Sequence, residues 1–427
     1  MSDKLRQVGY LYKKGTNALK QNGVRNTFQK VQRRLTTKMG INKMLRQENP
    51  QLANTYRKIL ELYQKHEIKG LVILTSGLEF EELYNQRTIN LAKYLSNQGY
   101  GVIYVVWQWD DAEKLKKGYQ VVYKNIFEIP VYDFTYELDK LKILNEIDSK
   151  TYIATFPAKL FYRSIGQLKN ADYRIIYDNM DEWEEFYKTG DASWYDRKTE
   201  EEFVRTSDLV TVVSQPLKDK FSFIRHDIEV IGNGYTAALS GKKNISLRTE
   251  SLDQKIHIGY FGHLTPSWFD WDLILHLAEN NQFFFHFIGH GIPDDILMKI
   301  KALPNCEFYG KIHPGELYRY VEKWHIGLIP FKQSTLSEAV DPIKIYEYLY
   351  FGLPTVSTGI PHIGNYPLVT HCENEAEVKQ VISQYYQQLI TSTLSYDDVE
   401  QFLEKTTWDE RFTEMFNILD LKEKEQR

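Results

Sequence analysis

Cysteine is nearly absent. The 427 residues include two, Cys306 and Cys372, far apart and without the spacing of metal ligands. That excludes a disulfide framework and a cysteine zinc site, and it suits a reducing compartment. Long apolar runs are missing too. Stretches such as Gly101–Trp107 and Phe283–Ile288 fall far short of the ~20 residues that span a bilayer. The N-terminus is basic with no apolar core behind it, so it is not a secretory signal. From these absences the chain is expected in the cytoplasm. No Gly-x-x-x-x-Gly-Lys loop, Gly-x-Ser-x-Gly elbow or His-Glu-x-x-His pair occurs, which argues against P-loop, serine-hydrolase and zinc-peptidase chemistry. No cofactor and no metal are expected.

What is present is an ordinary folded composition, 42% hydrophobic and 26% charged, on a chain long enough for two domains. Aromatics reach 14%, with 30 tyrosines, side chains suited to wet clefts and sugar faces and also to cores. The net charge of −4 is unevenly spread. Residues 1–49 carry twelve Lys and Arg against Asp3 and Glu48, a surplus of about ten. Within this arm Val24, Phe28, Val31 and Leu35 share one helical face, with Arg25, Lys30, Arg33 and Arg34 largely off it. Such a basic amphipathic helix suits an anionic membrane surface, which would make the protein peripheral on the inner face of the membrane. It equally suits docking on the body or on a second subunit, as in a homo-oligomer. Nucleic acid is not an expected partner, because the remaining chain is acidic and shows no recognition module.

From residue 50 onward, short β-branched or aromatic runs alternate with helical stretches, the pattern of parallel α/β sheets. Leu71–Thr75, Gly101–Val106, Tyr152–Thr155, Arg174–Tyr177 and Leu209–Val213 read as strands of one domain, 50–240. Helices are expected near Leu83–Asn97 and elsewhere between them. Residues 241–254 read as a linker. The pattern restarts over 255–405 with strands at Lys255–Phe261, Phe283–Ile288, Cys306–Tyr309, His325–Pro330 and Pro354–Ser357, and residues 406–427 form a terminal helix. The expected fold class is α/β, two Rossmann-like domains facing across a cleft, with ligands outside the carboxyl ends of the strands.

The most informative stretch is Asp341-Pro-Ile-Lys-Ile-Tyr-Glu-Tyr-Leu-Tyr-Phe-Gly-Leu-Pro354. Asp341 suits an N-cap, Pro342 a first helical residue and Gly352 a stop. Between them the helix is apolar nearly all round, which marks it as buried. Its two interior charges, Lys344 and Glu347, share a face. Unpartnered burial of charge is costly. The two side chains either pair with each other or face a charged, polyhydroxylated ligand. A carboxylate such as Glu347 accepts both hydroxyls of a ribose diol, and Lys344 with nearby N–H groups suits a pyrophosphate.

The stretch Pro342-x-Lys344-x-x-Glu347-Tyr348-x-x-x-Gly352-x-Pro354-x-Val356-Ser357 resembles the nucleotide-sugar motif of glycosyltransferase family 4, in the GT-B superfamily. The likeness extends from about residue 70. Ile258-Gly-Tyr-Phe-Gly262, Phe287-Ile-Gly289 and Cys306-Glu-Phe-Tyr-Gly310 resemble strand ends of the donor domain. Ile176-Tyr-Asp178-x-x-Asp181 and Val212-Val-Ser214 resemble segments of the acceptor domain of bacterial cell-surface polysaccharide transferases. Trp408-Asp-Glu resembles the start of a helix crossing back onto the first lobe. The resemblance implies a GT-B fold and transfer of a hexosyl or deoxyhexosyl group from a nucleoside-diphosphate sugar without metal. It also implies retention, with Glu347 on the donor ribose. The acceptor is expected to be a glycan, carried on a polyprenyl or other membrane lipid, in capsule, exopolysaccharide or wall-glycan assembly. Ala339 stands where many members carry a second glutamate, and His263–Asp270 replaces a loop that often holds a basic pair. Lys344 then carries more of the phosphate load.

Expected donor contacts are therefore Gly262, His263, Gly310, Lys311, Asp341, Lys344, Glu347, Ile363 and Gly364. Ser76, Gly77 and Asp178 are expected on the acceptor side. Lys344 and Asp181 are the expected catalytic residues, Asp181 as the carboxylate that orients or deprotonates an acceptor hydroxyl. For Asp181 and its acidic neighbours, a helix N-terminus enriched in acids is the competing explanation. Two other functions suit the same sequence, a nucleotide-sugar epimerase of the same fold and a degenerate scaffold partner for another transferase.

Overall fold

The computed structural model describes residues 49–108, 115–236 and 253–426. The basic arm up to residue 48 and most of the linker lie outside these residues.

The first sheet is built from β1 (Gly70–Ser76), β2 (Tyr100–Val106), β3 (Val121–Tyr123), β4 (Ile126–Pro130), β5 (Lys150–Ala154), β6 (Arg174–Asn179), β7 (Leu209–Val212) and β8 (Glu229–Val230). Its order is β3-β4-β2-β1-β5-β6-β7-β8, parallel except for β3 at the edge. The second sheet is built from β9 (Ile256–His263), β10 (Phe283–His290), β11 (Cys306–Gly310), β12 (Ile326–Pro330), β13 (Thr355–Thr358) and β14 (Val369–His371). It runs β11-β10-β9-β12-β13-β14 with every pair parallel. Helices cover both faces of a parallel sheet, so central strands such as β1 and β12 are buried from end to end, which explains their unbroken apolar runs.

Each sheet has a point where the strand order reverses, and there the two neighbouring strands diverge. In the first lobe this lies between β1 and β5, which stay in register only as far as Leu74 and Ile153. The gap beyond is laced shut. Thr75 and Thr155 share a hydroxyl contact of 3.0 Å, and the Thr155 N–H donates to the Thr75 hydroxyl at 2.9 Å. In the second lobe the reversal lies between β9 and β12, which pair only at Ile258/Ile326 and Gly259/Gly327. Two glycines admit aromatic rings there. A Cβ on Gly259 would lie 2.0 Å from the Trp324 ring, and one on Gly327 2.6 Å from the Tyr348 ring. The Tyr348 hydroxyl then accepts from the Phe261 N–H at 3.3 Å, replacing the ladder partner lost where β12 turns away.

The Trp408–Gln426 helix returns to the first lobe. Trp408, Phe412, Met415 and Leu419 are buried in that lobe's core against the Arg87–Asn97 helix, with Phe412 packed on the Tyr94 and Trp408 rings. Several expected elements are shorter in the structure. The Leu83–Asn97 helix begins only at Arg87, and the stretch before it is a loop ending at Asn85 and Gln86. The short β3–β4 hairpin and β14 have no legible period in the sequence.

Phe412→Ala removes a fully buried ring from the return helix and is expected to cost about 3–5 kcal/mol. Urea unfolding of the variant measures this, and a loss below about 1 kcal/mol would mean that the helix is not docked as described.

Candidate functional site

The charged helix begins two residues later than its sequence suggests. It spans Lys344–Tyr350, with Ile343 at its cap position and no capping side chain. Asp341 is not an N-cap. Its carboxylate is turned the other way, accepting from the Asn233 N–H at 2.6 Å, Tyr346 at 2.7 Å and Tyr366 at 3.3 Å. With its Oδ atoms so committed and 3% exposed, Asp341 fixes the segment joining the lobes and has no free face toward a donor. The short helix also contributes less dipole than a ten-residue one would.

Ile345, Tyr346, Tyr348 and Leu349 are buried, whereas Lys344 and Glu347 are only half-buried. They do not neutralise each other by contact, since neither forms an ion pair among the described residues. The Lys344 ammonium sits over the faces of Tyr260 at 5.1 Å and Phe331 at 5.3 Å. Tyr260 belongs to β9 and Phe331 follows β12, so the charge rests at the reversal point of the second sheet. Gly262, with φ 134°, lets the backbone pass beneath it, and a Cβ there would lie 3.1 Å from Lys344 Cε. Burial pulls the ammonium down to about 8, against a smaller opposing pull from Glu347. Ring faces hold a cation without taking up its N–H donors.

Glu347 meets the first lobe. Its Oε1 accepts from Asn85 Nδ2 at 3.0 Å, and Asn85 Oδ1 in turn accepts from Trp408 Nε1 at 2.6 Å. Burial raises this carboxyl to about 7. The sequence offered no signal for Asn85, a lone asparagine in a loop. Three further contacts join the lobes. Phe186 stands edge-on to Trp268 at 5.8 Å, the Ser214 hydroxyl donates to the Ala339 carbonyl at 2.5 Å, and Asn233 Nδ2 donates to the Asp341 carbonyl at 2.6 Å. The loops after β1 and β6 thereby face the ends of β9 and β12. Ala339, at the position of the expected second glutamate, is buried in the first lobe's core cluster.

The remaining expected donor residues line the same edge. His263 ends β9 and is exposed, with its ring 5.3 Å from Trp268. Gly310, φ 72°, ends β11, and Lys311 beyond it is exposed. The side chain of Ile363 is buried in the core of the second lobe, so only backbone in the Pro361–Asn365 turn is open to a ligand there. Gly364 packs against His371.

On the acceptor side the structure separates residues that the sequence grouped. Asp178 is fully buried in a two-point ion pair with Arg87, at 2.8 and 2.9 Å, and accepts from Thr211 at 2.7 Å. Arg87, which reads as a surface residue in sequence, also donates to the Gly232 carbonyl at 2.9 Å. The pair is a buried strut inside the first lobe, and it takes up both Asp178 carboxylate oxygens. The Ser76 hydroxyl is likewise taken up, by Tyr104 at 2.7 Å and Thr88 at 3.1 Å, while Gly77 is half-exposed beside it. Asp181 differs. It follows β6, is half-buried, and its carboxylate has no hydrogen-bond or ionic partner among the described residues. Burial, with a smaller push from Glu182, raises it to about 7. Glu182 is the acid that caps the Trp183–Thr189 helix and pairs with Lys220. The helix-cap explanation of this acidic run thus accounts for Glu182 and leaves Asp181 free.

No family model matches the chain. Over 203 residues it is 28% identical to a protein of Bacillus subtilis (strain 168), TuaH, whose description gives it provisionally as a teichuronic acid biosynthesis glycosyltransferase. The match covers 44% of this chain and 51% of that protein, so the chain spans about half the length of this relative. Among solved structures, sucrose-phosphate synthase of Thermosynechococcus elongatus superposes with a TM-score of 0.60 at 12% identity, over 82% of this chain and 98% of the other. The catalytic domain of starch synthase IV from Arabidopsis thaliana, bound to ADP and acarbose, gives 0.58 at 10% identity, over 83% and 99%. A point mutant of TarM from S. aureus, in complex with fondaparinux, alpha-GlcNAc-glycerol and UDP, gives 0.52 at 11%, over 82% and 99%.

Two outcomes test the electrostatics. Glu347 loses its proton near pH 7 when folded but near pH 4.5 when unfolded. Its share of stability is therefore full below pH 4.5 and lost as pH rises through 7. Glu347→Gln has no proton to lose. The variant should gain on wild type between pH 5 and pH 8 by on the order of 1 kcal/mol, discounted for partial exposure. Melting curves across that range read the difference, and a constant offset would contradict it. Arg87→Met leaves the buried Asp178 carboxylate without its counter-charge and should cost about 3–5 kcal/mol in urea unfolding.

Proposed function

We propose, for a chain whose fold is that of the GT-B glycosyltransferases, that it transfers a sugar from a nucleoside-diphosphate sugar to a glycan acceptor. The observation that carries the reading is the placement of Lys344 and Glu347. One helical face presents an ammonium with free donors and, one turn on, a carboxylate with one oxygen free, at the reversal point of the second sheet. A diphosphate at Lys344 puts the ribose within reach of Glu347, whose bond to Asn85 is exchanged for the two ribose hydroxyls. Backbone beyond β9 and in the Pro361–Asn365 turn adds uncharged N–H donors.

The acceptor enters from the first lobe, past Asp181. Lobe closure excludes water and aligns a hydroxyl with the anomeric carbon. The bond from that carbon to the diphosphate oxygen breaks and a new glycosidic bond forms. The acceptor proton passes to Asp181, whose carboxyl titrates near neutrality. Negative charge gathers on the leaving diphosphate, where Lys344 neutralises it without a metal. Retention at the anomeric carbon, an acceptor borne on a membrane lipid, and a place in surface polysaccharide assembly complete the reading. The partial likeness to TuaH supports the last of these.

Metal-free thermal stabilisation by UDP, GDP and ADP tests the donor site. At a hundredfold excess over Kd a bound nucleotide adds about 2.7 kcal/mol. Wild type should respond to at least one of the three and Glu347→Ala to none. If the Glu347→Ala shift equals that of wild type, the site is elsewhere. Asp181→Asn should keep the nucleotide response and lose about a hundredfold or more in kcat for transfer. An unchanged kcat would remove Asp181 from the chemistry.

A further inference from the structure

The phosphate end of the donor site has a second feature, whose meaning rests on the function proposed above. Strands β9 and β10 run in register to their last residues, which makes His263 and His290 direct neighbours. Their ring centroids are 4.5 Å apart. Lys311, just past the end of β11, adds a third base to the row, and Lys344 stands behind His263 at the reversal point. The groups that act on the two imidazoles are thus each other, Lys311, Lys344 and the first lobe's Asp191. One carboxylate faces four basic side chains.

The backbone beneath is built for close approach. Gly262, Gly289 and Gly291 have φ of 134°, 145° and 91°. A Cβ on Gly289 would lie 1.8 Å from the Gly262 carbonyl oxygen, and one on Gly291 2.7 Å from His263 Cε1. Glycine at these points lets the two rings meet edge-on at the surface. Both imidazoles are held below the ordinary histidine value, by partial burial first and then by neighbouring positive charge. Protonating either ring on its own adds a cation to a row that already has an excess of them.

We propose that His263 and His290 form the proton-binding half of the donor's phosphate site, so that an incoming diphosphate draws a proton onto the pair. A phosphate beside the rings reverses the sign of the local field and raises their affinity for protons. Donor binding then takes up protons, and affinity falls as pH rises through neutrality. Of the pair, only His263 is an expected donor contact from sequence, and nothing there points to a joint role.

Calorimetry of UDP binding, or of GDP or ADP where UDP does not bind, gives the proton count from two buffers of different ionisation enthalpy. At about pH 7.5 the terminal phosphate is already ionised, its second pKa being about 6. Lys344 and Glu347 are present in wild type and in both variants, so the difference reports the lost histidine together with its effect on Lys344. Proton uptake by wild type should fall by about half in His263→Asn and in His290→Asn. Each variant should bind several-fold more weakly at about pH 6.5, and nearly as well as wild type at about pH 8.5. Uptake unchanged in both variants, or a loss of affinity equal at both pH values, overturns the inference and leaves the donor site standing. Failure of wild type to bind any of the three nucleotides overturns the donor site itself.

Discussion

An ammonium and a carboxylate one turn apart on a helix would ordinarily pair, and the rest of this structure follows from what keeps Lys344 and Glu347 apart. Tyr260 and Phe331 hold the ammonium by their ring faces, and Asn85 of the other lobe holds the carboxylate. Each charge is partly desolvated, each is shifted toward neutrality, and neither is satisfied by the other. The energy withheld from a salt bridge is available to a ligand with an anionic end and a diol end. That is the chemistry of a nucleoside diphosphate.

The two lobes fill the same topological feature with different side chains. In each sheet, strand order reverses beside the first strand, and a crevice opens where the neighbours diverge. The first lobe closes its crevice with Thr75 and Thr155 and ties down Ser76 below it. The second fills its crevice with the Trp324 and Tyr348 rings, seated at Gly259 and Gly327, and places Lys344 at the strand ends beyond them. Contacts between the lobes are Asn85 on Glu347, Phe186 on Trp268, and Asn233 on Asp341. The carboxylate proposed to bind the ribose is thus also a point at which the lobes touch, through its hydrogen bond to Asn85.

Much of this was legible in the sequence because the signals were strong and local. The central strands read as unbroken apolar runs because both faces are buried, and the helix at Lys344 stood out because two charges interrupt an oily segment. What the sequence hid depends on distance in space. Arg87 reads as an exposed helical residue and is the buried partner of Asp178, 91 positions away. Asp341 has the form of an N-cap, yet Asn233 and Tyr346 compete for its carboxylate and win. Asn85 and His290 carry no pattern of their own. They gain meaning only when the loop after β1 is set against the Lys344–Tyr350 helix and β10 is laid in register with β9. Asp181 could not be separated from its acidic neighbours until Glu182 was seen to cap the helix and pair with Lys220.

A crystal structure of the chain with a nucleoside diphosphate tests the central claim most directly. The account predicts diphosphate oxygens at Lys344 Nζ, ribose hydroxyls on Glu347 in place of Asn85, and the base toward the end of β11. A nucleotide bound away from this helix, or Lys344 and Glu347 closed on each other with the nucleotide present, would contradict it.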